Sequence, residues 1–191
     1  FENVNGSKYR AVSNLFGSVE RSRFMFRDSI ETVKRLVELK GDPSLFMKNP
    51  SWLASAIGGG IDALPYKWKT NFEEISISDV PQIKCWPNDG GPFVTLPQVY
   101  SEDVDKPGIM NSNLGMYRVQ LAGNDYIQNQ EIGLHYQLHR GIGVHQTKSN
   151  QLGKPLKVAV FIGGPPSHSF AAVMPLPEGL PEVSFAGVLG G

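Results

Sequence analysis

The sequence has little cysteine, no long hydrophobic run and no net charge. Its single cysteine, Cys85, cannot form a disulfide within the chain, and a zinc site made of several cysteines is excluded. The apolar runs are too short for a transmembrane helix. Lys plus Arg number 18 and Asp plus Glu also number 18, which argues against a nucleic-acid-binding arm or a polybasic membrane patch. We therefore expect a cytoplasmic protein that does not bind nucleic acid, with Cys85 as a partly buried thiol.

The composition favours a packed, turn-rich fold. The 191 residues suffice for one large domain or two small ones, and 40% of them are hydrophobic. The 21 Gly and 14 Pro residues exceed the usual share, which favours short strands and turns over a helical bundle. The chain begins with Phe1 rather than Met, and it ends in an apolar run. From these ends we expect a piece of a longer polypeptide.

The first part of the chain predicts short elements, mostly helical. Residues 1–17 are typical of a short strand with turns. A helix is predicted to begin after Asp28 and to stop at Gly41, with an apolar stripe of Ile30, Val33, Leu36 and Val37. Residues 44–70 predict further short helices, broken by the three glycines at 58–60.

From about residue 75 the pattern becomes β-like. Turn clusters separate four strand candidates, at Phe93–Val99, Gly115–Leu121, Ile132–Leu138 and Lys157–Ile162. We expect an α+β fold, with a small N-terminal α/β cap over residues 1–75. A β-barrel or β-sandwich domain would follow over residues 76–191, with the boundary at 72–80.

Two of these strands alternate between apolar and polar side chains, which places the two sets on opposite faces. Tyr117, Val119 and Leu121 share one face. If the two strands pair, the opposite face collects six polar side chains: Arg118, Gln120, His135, Gln137, His139 and Arg140. Two interpretations remain open, a solvated face of an antiparallel sheet and a pocket for an anion or cofactor.

Other residues are candidate ligands, each with an ordinary structural alternative. The side-chain oxygen of Asn113 can ligate a hard metal, or the residue can lie in a turn. Glu178 and Glu182 are candidate metal or base carboxylates, or residues of a surface loop. The segment 161–169 predicts a strand, a Gly-Gly turn and a helix beginning at Ser167, whose free amides suit a phosphate.

Four separated motifs resemble the UbiD family of reversible decarboxylases. The segments that carry the resemblance are Asn113–Arg118, His135–Gly141, Gly163–Pro166 and Met174–Glu182. Residues 1–7 and 14–17 resemble the family too, so the likeness covers essentially the whole chain. Within the family the sequence is most similar to the 4-hydroxy-3-polyprenylbenzoate decarboxylases of bacterial quinone synthesis.

The resemblance implies a split β-barrel domain that binds prenylated FMN, a divalent metal (manganese) and a potassium ion. Asn113 and Glu182 correspond to metal ligands of the family. The column of a further His ligand holds Leu138 here, beside His139, which makes His139 a candidate ligand. The cofactor-binding residues would be Met116, Tyr117, Arg118, His135, Tyr136, Gln137, Arg140, Gly141 and Met174. Arg118 would also be catalytic, since it orients the substrate carboxylate.

The implied reaction is the non-oxidative decarboxylation of an aromatic acid, of 4-hydroxybenzoate type, in ubiquinone or menaquinone biosynthesis. The modified flavin serves as the electron sink when carbon dioxide leaves. The expected partners are the acid, a flavin prenyltransferase that supplies the cofactor, further copies in a homo-oligomer, and a membrane surface approached through a lipophilic substrate. Family members are longer, and the carboxylates of their Glu-Arg-Glu network lie beyond the matching segment, so we expect this chain alone to be inactive. The alternatives are a split-barrel module that holds ordinary FMN and a non-catalytic subunit.

Overall fold

Helices fill the first third of the chain, and short strands alternate with helices in the rest. The computed structural model describes residues 1–67, 72–176 and 179–191. Its α-helices are α1 Val19–Met25, α2 Ile30–Gly41, α3 Leu45–Lys48, α4 Trp52–Asp62, α5 Gly141–Gln151, α6 Pro166–Ala171 and α7 Glu182–Gly190. Its strands are β1 Gln98–Glu102, β2 Ser112–Gly115, β3 Arg118–Gln120, β4 Gly133–His135 and β5 Val158–Phe161. Short 3-10 turns lie at Val4–Gly6, Ile77–Asp79 and Ile109–Asn111.

The N-terminal helices confirm one prediction and correct two. The helix expected after Asp28 is α2. Residues 1–17 contain the turn Val4–Gly6 and no strand, against expectation. The glycines at 58–60 lie inside α4 and do not break it. The reason is packing, because a Cβ on Gly59 would lie 2.6 Å from Leu36 Cδ1 of α2, so the missing side chain lets the two helices approach.

The strands form two small antiparallel sheets. One has the order β2-β1-β5, with β1 in the centre, and the other pairs β3 with β4. Ser101 lies opposite Asn113 in the first sheet, and Arg118 lies opposite His135 in the second. The mixed helix-and-sheet class is therefore confirmed. The strands of the described residues do not close into a barrel, so the split barrel is not confirmed.

Two predicted strands divide between the two sheets. The segment Gly115–Leu121 is interrupted, because Met116 N bonds Ala172 O, and the Tyr117 ring fills the space over Gly115. The segment Phe93–Val99 is interrupted at Leu96, whose φ is +51°. Phe93 and Val94 bond along β3, whereas β1 begins only at Gln98. The predictions for residues 132–138 and 157–162 shrink to β4 and β5.

Helices α5 and α7 were not predicted, and both pack against β2. Helix α7 also contacts α6, α4 and α2, which joins the N-terminal helices to the sheet region. Helix α6 begins at Pro166 rather than at the predicted cap, Ser167, which is buried inside it. The core between the two sheets consists of Val94, Val99, Val119, Leu121 and Ile142.

Two further observations bear on the sequence predictions. None of the helices in the described residues is long and apolar enough to cross a membrane. Cys85 is exposed, which corrects the expectation of a partly buried thiol. Its neighbours Lys84 and Trp86 are exposed as well, since this segment runs over the surface before the turn at 88–91.

Candidate functional site

One open cavity of about 890 Å³ brings together every residue that the family resemblance implied for the site. It lies where β2, β3 and β4 meet the N-terminus of α5 and the segment before α7. The predicted residues that line it are Asn113, Met116, Tyr117, Arg118, His135, Tyr136, Gln137, His139, Arg140, Gly141, Met174 and Glu182. They come from three separate segments, so the cavity is a product of the fold rather than of one motif.

Glu182 is hydrogen-bonded to the backbone of β2 at the residue after Asn113. The Glu182 carboxylate accepts a hydrogen bond from Leu114 N at 3.1 Å, and Leu114 follows Asn113 in the strand. Glu182 is the first residue of α7, where a carboxylate also suits the helix dipole. The Asn113 amide donates to the Tyr117 hydroxyl at 3.2 Å. Both side chains thus line the cavity, and each has a hydrogen-bond partner within the chain.

The N-terminus of α5 closes over Asn113, and this contact requires a glycine. A Cβ on Gly141 would overlap Asn113 Oδ1. Arg140 caps the helix without a side-chain hydrogen bond, and the first hydrogen bond of the α5 ladder runs from Val144 N to Arg140 O. The amides of the first turn therefore face the same end of the cavity as the Asn113 oxygen, in an arrangement that suits an anion.

Arg118 and His135 lie on the same side of the β3–β4 pair, as the alternation predicted. The Arg118 guanidinium donates from Nη2 to Asp89 Oδ1 at 2.7 Å, and its Cζ lies 3.9 Å from the centroid of the Phe93 ring. Gln120 shares their face but is buried, because the turn at 88–91 covers it. The polar face is therefore neither wholly solvated nor wholly open to the cavity.

The remaining predicted residues form the exposed rim of the cavity. Gln137, His139 and Arg140 are exposed, and the Tyr136 ring packs edge-on against Tyr117 with centroids 6.3 Å apart. Among the residues that the structure describes, no three His, Cys, Asp or Glu side chains cluster closely enough to hold a metal. The oxygen donors that the cavity offers include the Asn113 amide oxygen and the Glu182 carboxylate. Glu178, the other candidate carboxylate, lies outside the described residues.

The sequence analysis missed a buried polar cluster beneath α5. His145 Nδ1 lies 2.9 Å from Ser101 Oγ, and both residues are buried. Nearby, Lys148 donates to the carboxylate of Asp103. His145 and Asp103 both line the cavity. The pairing of β1 with β2 sets Ser101 opposite Asn113. The cluster also needs His145 of α5, however, and the periodicity of the sequence did not reveal that helix.

The pKa values in this cluster are shifted by burial and by the ion pair. Burial lowers the pKa of His145 below its ordinary 6.5, with Asp103 opposing and Lys148 reinforcing the shift. The hydrogen bond from Lys148 lowers the pKa of Asp103 from 3.8 to about 2. The same contact raises the pKa of Lys148. At neutral pH the cluster thus presents a neutral imidazole beside a closed ion pair.

Comparison with known proteins assigns the family. Residues 62–191 match the model of the 3-octaprenyl-4-hydroxybenzoate carboxy-lyase Rift-related domain, and residues 1–40 match that of the carboxy-lyase N-terminal domain. A Chlamydia pneumoniae protein, named as one of the subunits of 4-hydroxybenzoate decarboxylase, is 35% identical over 200 residues. That match covers 100% of this chain and 32% of the relative. The chain thus spans about a third of the length of this relative.

Solved structures agree with this assignment. A vanillic acid decarboxylase from Sedimentibacter hydroxybenzoicus superposes with a TM-score of 0.52 at 28% identity, over 58% of this chain and 22% of that one. The UbiD-class enzyme HmfF from Pelotomaculum thermopropionicum, solved in complex with FMN, has a TM-score of 0.52 at 24% identity. It matches 61% of this chain and 24% of its own, and at that identity it supports the fold alone. With family models covering both ends of the sequence, the chain belongs to the UbiD family of carboxy-lyases.

Proposed function

We propose that this chain is the N-terminal and cofactor-binding part of a reversible, non-oxidative aromatic acid decarboxylase. The observation that carries the proposal is the cavity that residues of three family-like segments line together, among them Asn113, Arg118, His135 and Glu182. Family membership supplies the reaction class. The names of the Chlamydia and Sedimentibacter relatives both refer to hydroxybenzoic acids, which favours a 4-hydroxybenzoate-type substrate.

The donor set of the cavity fits prenylated FMN and a divalent ion. The cationic side chain of Arg140 and the amides at the start of α5 suit a phosphate. The oxygens of Asn113 and Glu182 suit a hard divalent cation such as manganese, with His139 on the rim as a further candidate ligand. Because Gly141 has no Cβ, Asn113 Oδ1 can lie against the start of α5.

The prenylated flavin would supply the electron sink that accepts the electron pair when carbon dioxide leaves. The residues of this chain contribute position and charge. Arg118 holds the substrate carboxylate through the N–H groups that Asp89 leaves free, and it favours one orientation of the acid. The aromatic rings of Tyr117 and Tyr136 give the cavity an apolar wall that excludes water from the ring of the substrate.

We also propose a wider biological role for the protein. We assign the protein to quinone biosynthesis and to a homo-oligomer, and a flavin prenyltransferase would provide its cofactor. A potassium ion beside the divalent metal and contact with a membrane through a lipophilic substrate complete the assignment. We propose a cytoplasmic location as well, and we expect the chain by itself to be inactive.

Native mass spectrometry tests cofactor binding directly. The chain is co-expressed with a flavin prenyltransferase and supplied with manganese and potassium. A bound mass equal to prenylated FMN plus a metal supports the proposal. Binding of ordinary FMN even when the prenylated form is available would favour the flavin-binding module. If neither this chain nor a longer protein that contains it bound any cofactor, the proposed cofactor-binding role would be contradicted.

Arg118→Ala tests the chemistry in a protein that also carries the remaining two-thirds of the family sequence. We expect decarboxylation of 4-hydroxybenzoate to fall by about 100-fold or more, because the carboxylate loses its oriented charge partner. Arg10→Ala is the control, since Arg10 is exposed and forms a long, exposed ion pair of 3.9 Å with Glu2. Unchanged turnover in Arg118→Ala would show that the role assigned to this arginine is wrong.

A further inference from the structure

Asp89 is a carboxylate that touches the site only through Arg118. It does not line the cavity, whereas Arg118 does. Asp89 Oδ1 accepts from Arg118 Nη2 at 2.7 Å, and only 12% of the Asp89 side chain is exposed, against 55% of the Arg118 side chain. A carboxylate buried to this degree costs free energy unless it is paired, so its contact with Arg118 is favoured.

The turn that carries Asp89 is fixed on both sides. Asp89 N donates to Trp86 O at 3.1 Å, and Asp89 Oδ2 accepts from Trp86 N at 3.2 Å. The following residue, Gly90, packs on Gln120, and a Cβ on Gly91 would overlap Ala122 O. The turn is therefore pressed against the chain that leaves β3. The carboxylate thus has one position relative to the strand that bears Arg118.

Phe93 constrains the guanidinium in a second direction. Its buried ring lies under the Arg118 guanidinium, with 3.9 Å between Cζ and the ring centroid. The backbone of Phe93 bridges to Gln120 of β3, and its ring meets His135 edge-on with centroids 6.0 Å apart. Asp89 thus engages one nitrogen of the guanidinium, and the Phe93 ring lies against its central carbon.

This arrangement leaves part of the guanidinium ready for a ligand. A guanidinium has five N–H donors arranged in two forks, and Asp89 engages only Nη2. The other fork can accept a planar carboxylate in a bidentate manner without displacing Asp89. An unrestrained arginine would have to be ordered by each incoming ligand.

We propose that Asp89 is a positioning residue, which acts with Phe93 to hold the Arg118 guanidinium in one orientation so that its free fork meets the carboxylate of an aromatic acid. The inference rests on the proposed function for the identity of the ligand. The ordering of Arg118 by Asp89 stands on the geometry alone. The pair differs from an ordinary surface ion pair such as Arg27 with Asp28, which is 3.6 Å long and exposed on both sides.

The test measures the order of the guanidinium by ¹⁵N NMR of the whole chain. Arg118→Lys assigns the side-chain signal, and the rate of rotation about the Nε–Cζ bond is the readout. We expect slow rotation for Arg118 and fast rotation for the exposed Arg10 in the wild-type chain, a comparison that needs no variant. Asp89→Asn should speed the rotation of Arg118 by about tenfold, Asp89→Glu should restore part of the order, and Asp28→Asn should change nothing at Arg118.

A titration with 4-hydroxybenzoate, followed at the same signal, separates the two ideas. Binding at Arg118 that weakens about tenfold in Asp89→Asn supports both the positioning role and the proposed function. If Arg118 rotates slowly in the wild type and faster in Asp89→Asn, but its NMR signal does not shift when the acid is added, the positioning role holds. That result would count against the proposed function. Rotation of Arg118 that is equally fast in the wild type and in Asp89→Asn overturns the inference. If Asp89→Asn fails to fold, Phe93→Leu replaces it and should give intermediate rotation.

Discussion

At the scale of single residues, the site depends on close contacts that a different side chain would disturb. Gly141 is the clearest case, because its missing Cβ makes room for Asn113 Oδ1. Asn113 then reaches Tyr117, and its neighbour Leu114 reaches Glu182. The oxygen ligands of the candidate metal site are therefore set by a glycine that carries no chemistry itself.

Gly141→Ala should disturb both stability and the site. The new Cβ must displace Asn113 or the start of α5, and we expect the free energy of unfolding to fall by about 1–3 kcal/mol. Gly41→Ala is the control, since Gly41 ends α2 with open space where its Cβ would lie. Urea unfolding of both variants measures the effect. Equal stability of Gly141→Ala and the wild type would mean that Asn113 does not occupy the position described.

The Asp103–Lys148 pair predicts a pH dependence of stability. The folded pKa of Asp103, at about 2, lies below its ordinary 3.8 because Lys148 donates to the carboxylate. The pair therefore stabilises the fold above pH 3.8 and loses this contribution as the pH falls towards 2. Urea unfolding should show a deficit of Asp103→Asn relative to the wild type at pH 5 that shrinks at about pH 2.5. The exposed neighbour Asp105 supplies the control variant, Asp105→Asn, and a deficit that does not depend on pH would contradict the assignment.

At the scale of elements, the local sequence pattern was enough to predict some helices and strands, whereas others depend on tertiary packing. Helix α2 could be predicted because its apolar stripe and its stop signal agree. Helix α5 could not, since Gly141, Gly143 and polar residues hide its period, and it is held by burial of Ile142 and Ser149 against the sheet. The apolar alternation at 115–121 suggested one strand, but the contacts of Met116 and Tyr117 divide it between two sheets.

The candidate site was predictable for a different reason. Its residues lie in short motifs with family-like spacing, so their membership in one cavity followed from the resemblance rather than from the fold. What the sequence could not indicate was the support behind them. Asp89 was only part of a turn cluster, and His145 lies on the unpredicted helix. Both act through tertiary neighbours that are distant in sequence, namely Arg118 and Ser101.

The glycines of α4 give a direct test of close helix packing. Gly60 faces open space, so Gly60→Ala should raise the free energy of unfolding by roughly 0.5–1 kcal/mol through helix propensity. Gly59→Ala gains the same propensity but brings its Cβ within 2.6 Å of Leu36 Cδ1 and 3.3 Å of Thr32 Cγ2. We expect its stability to lie about 1–2 kcal/mol below that of Gly60→Ala in thermal or urea unfolding. If both variants were equally stable, α2 and α4 would not pack as closely as described.

At the scale of the whole molecule, α7 joins the two ends of the chain. It contacts β2 near the cavity on one side and α2 and α4 on the other. Gly187 lies so close to Asp62 O of α4 that a Cβ would overlap it. At the last turn of α7, the hydroxyl of buried Ser29 donates to Leu189 O at 2.6 Å. The N-terminal helices therefore share their core with an element that also carries Glu182.

Ser29→Ala tests this connection. The substitution removes the donor to Leu189 O, and we expect a loss of about 1–2 kcal/mol in the free energy of unfolding, measured in urea. Ser51→Ala should have little effect, because Ser51 is exposed and its side chain makes no cap hydrogen bond. A loss in Ser29→Ala no larger than that in the control would show that α7 is not anchored to the N-terminal helices by this bond.

The segment from β2 to β3 through Met116 and Tyr117 sets the separation between Asn113 and Arg118. Gain or loss of one residue between Asn113 and Arg118 would disturb the contacts of Met116 and Tyr117 and shift Arg118 relative to Asn113. Relatives should therefore exchange residues in this segment without changing its length. Insertions and deletions should collect instead in exposed stretches such as residues 127–132. Substitutions can then change the lining of the cavity, while the spacing between Asn113 and Arg118 stays constant.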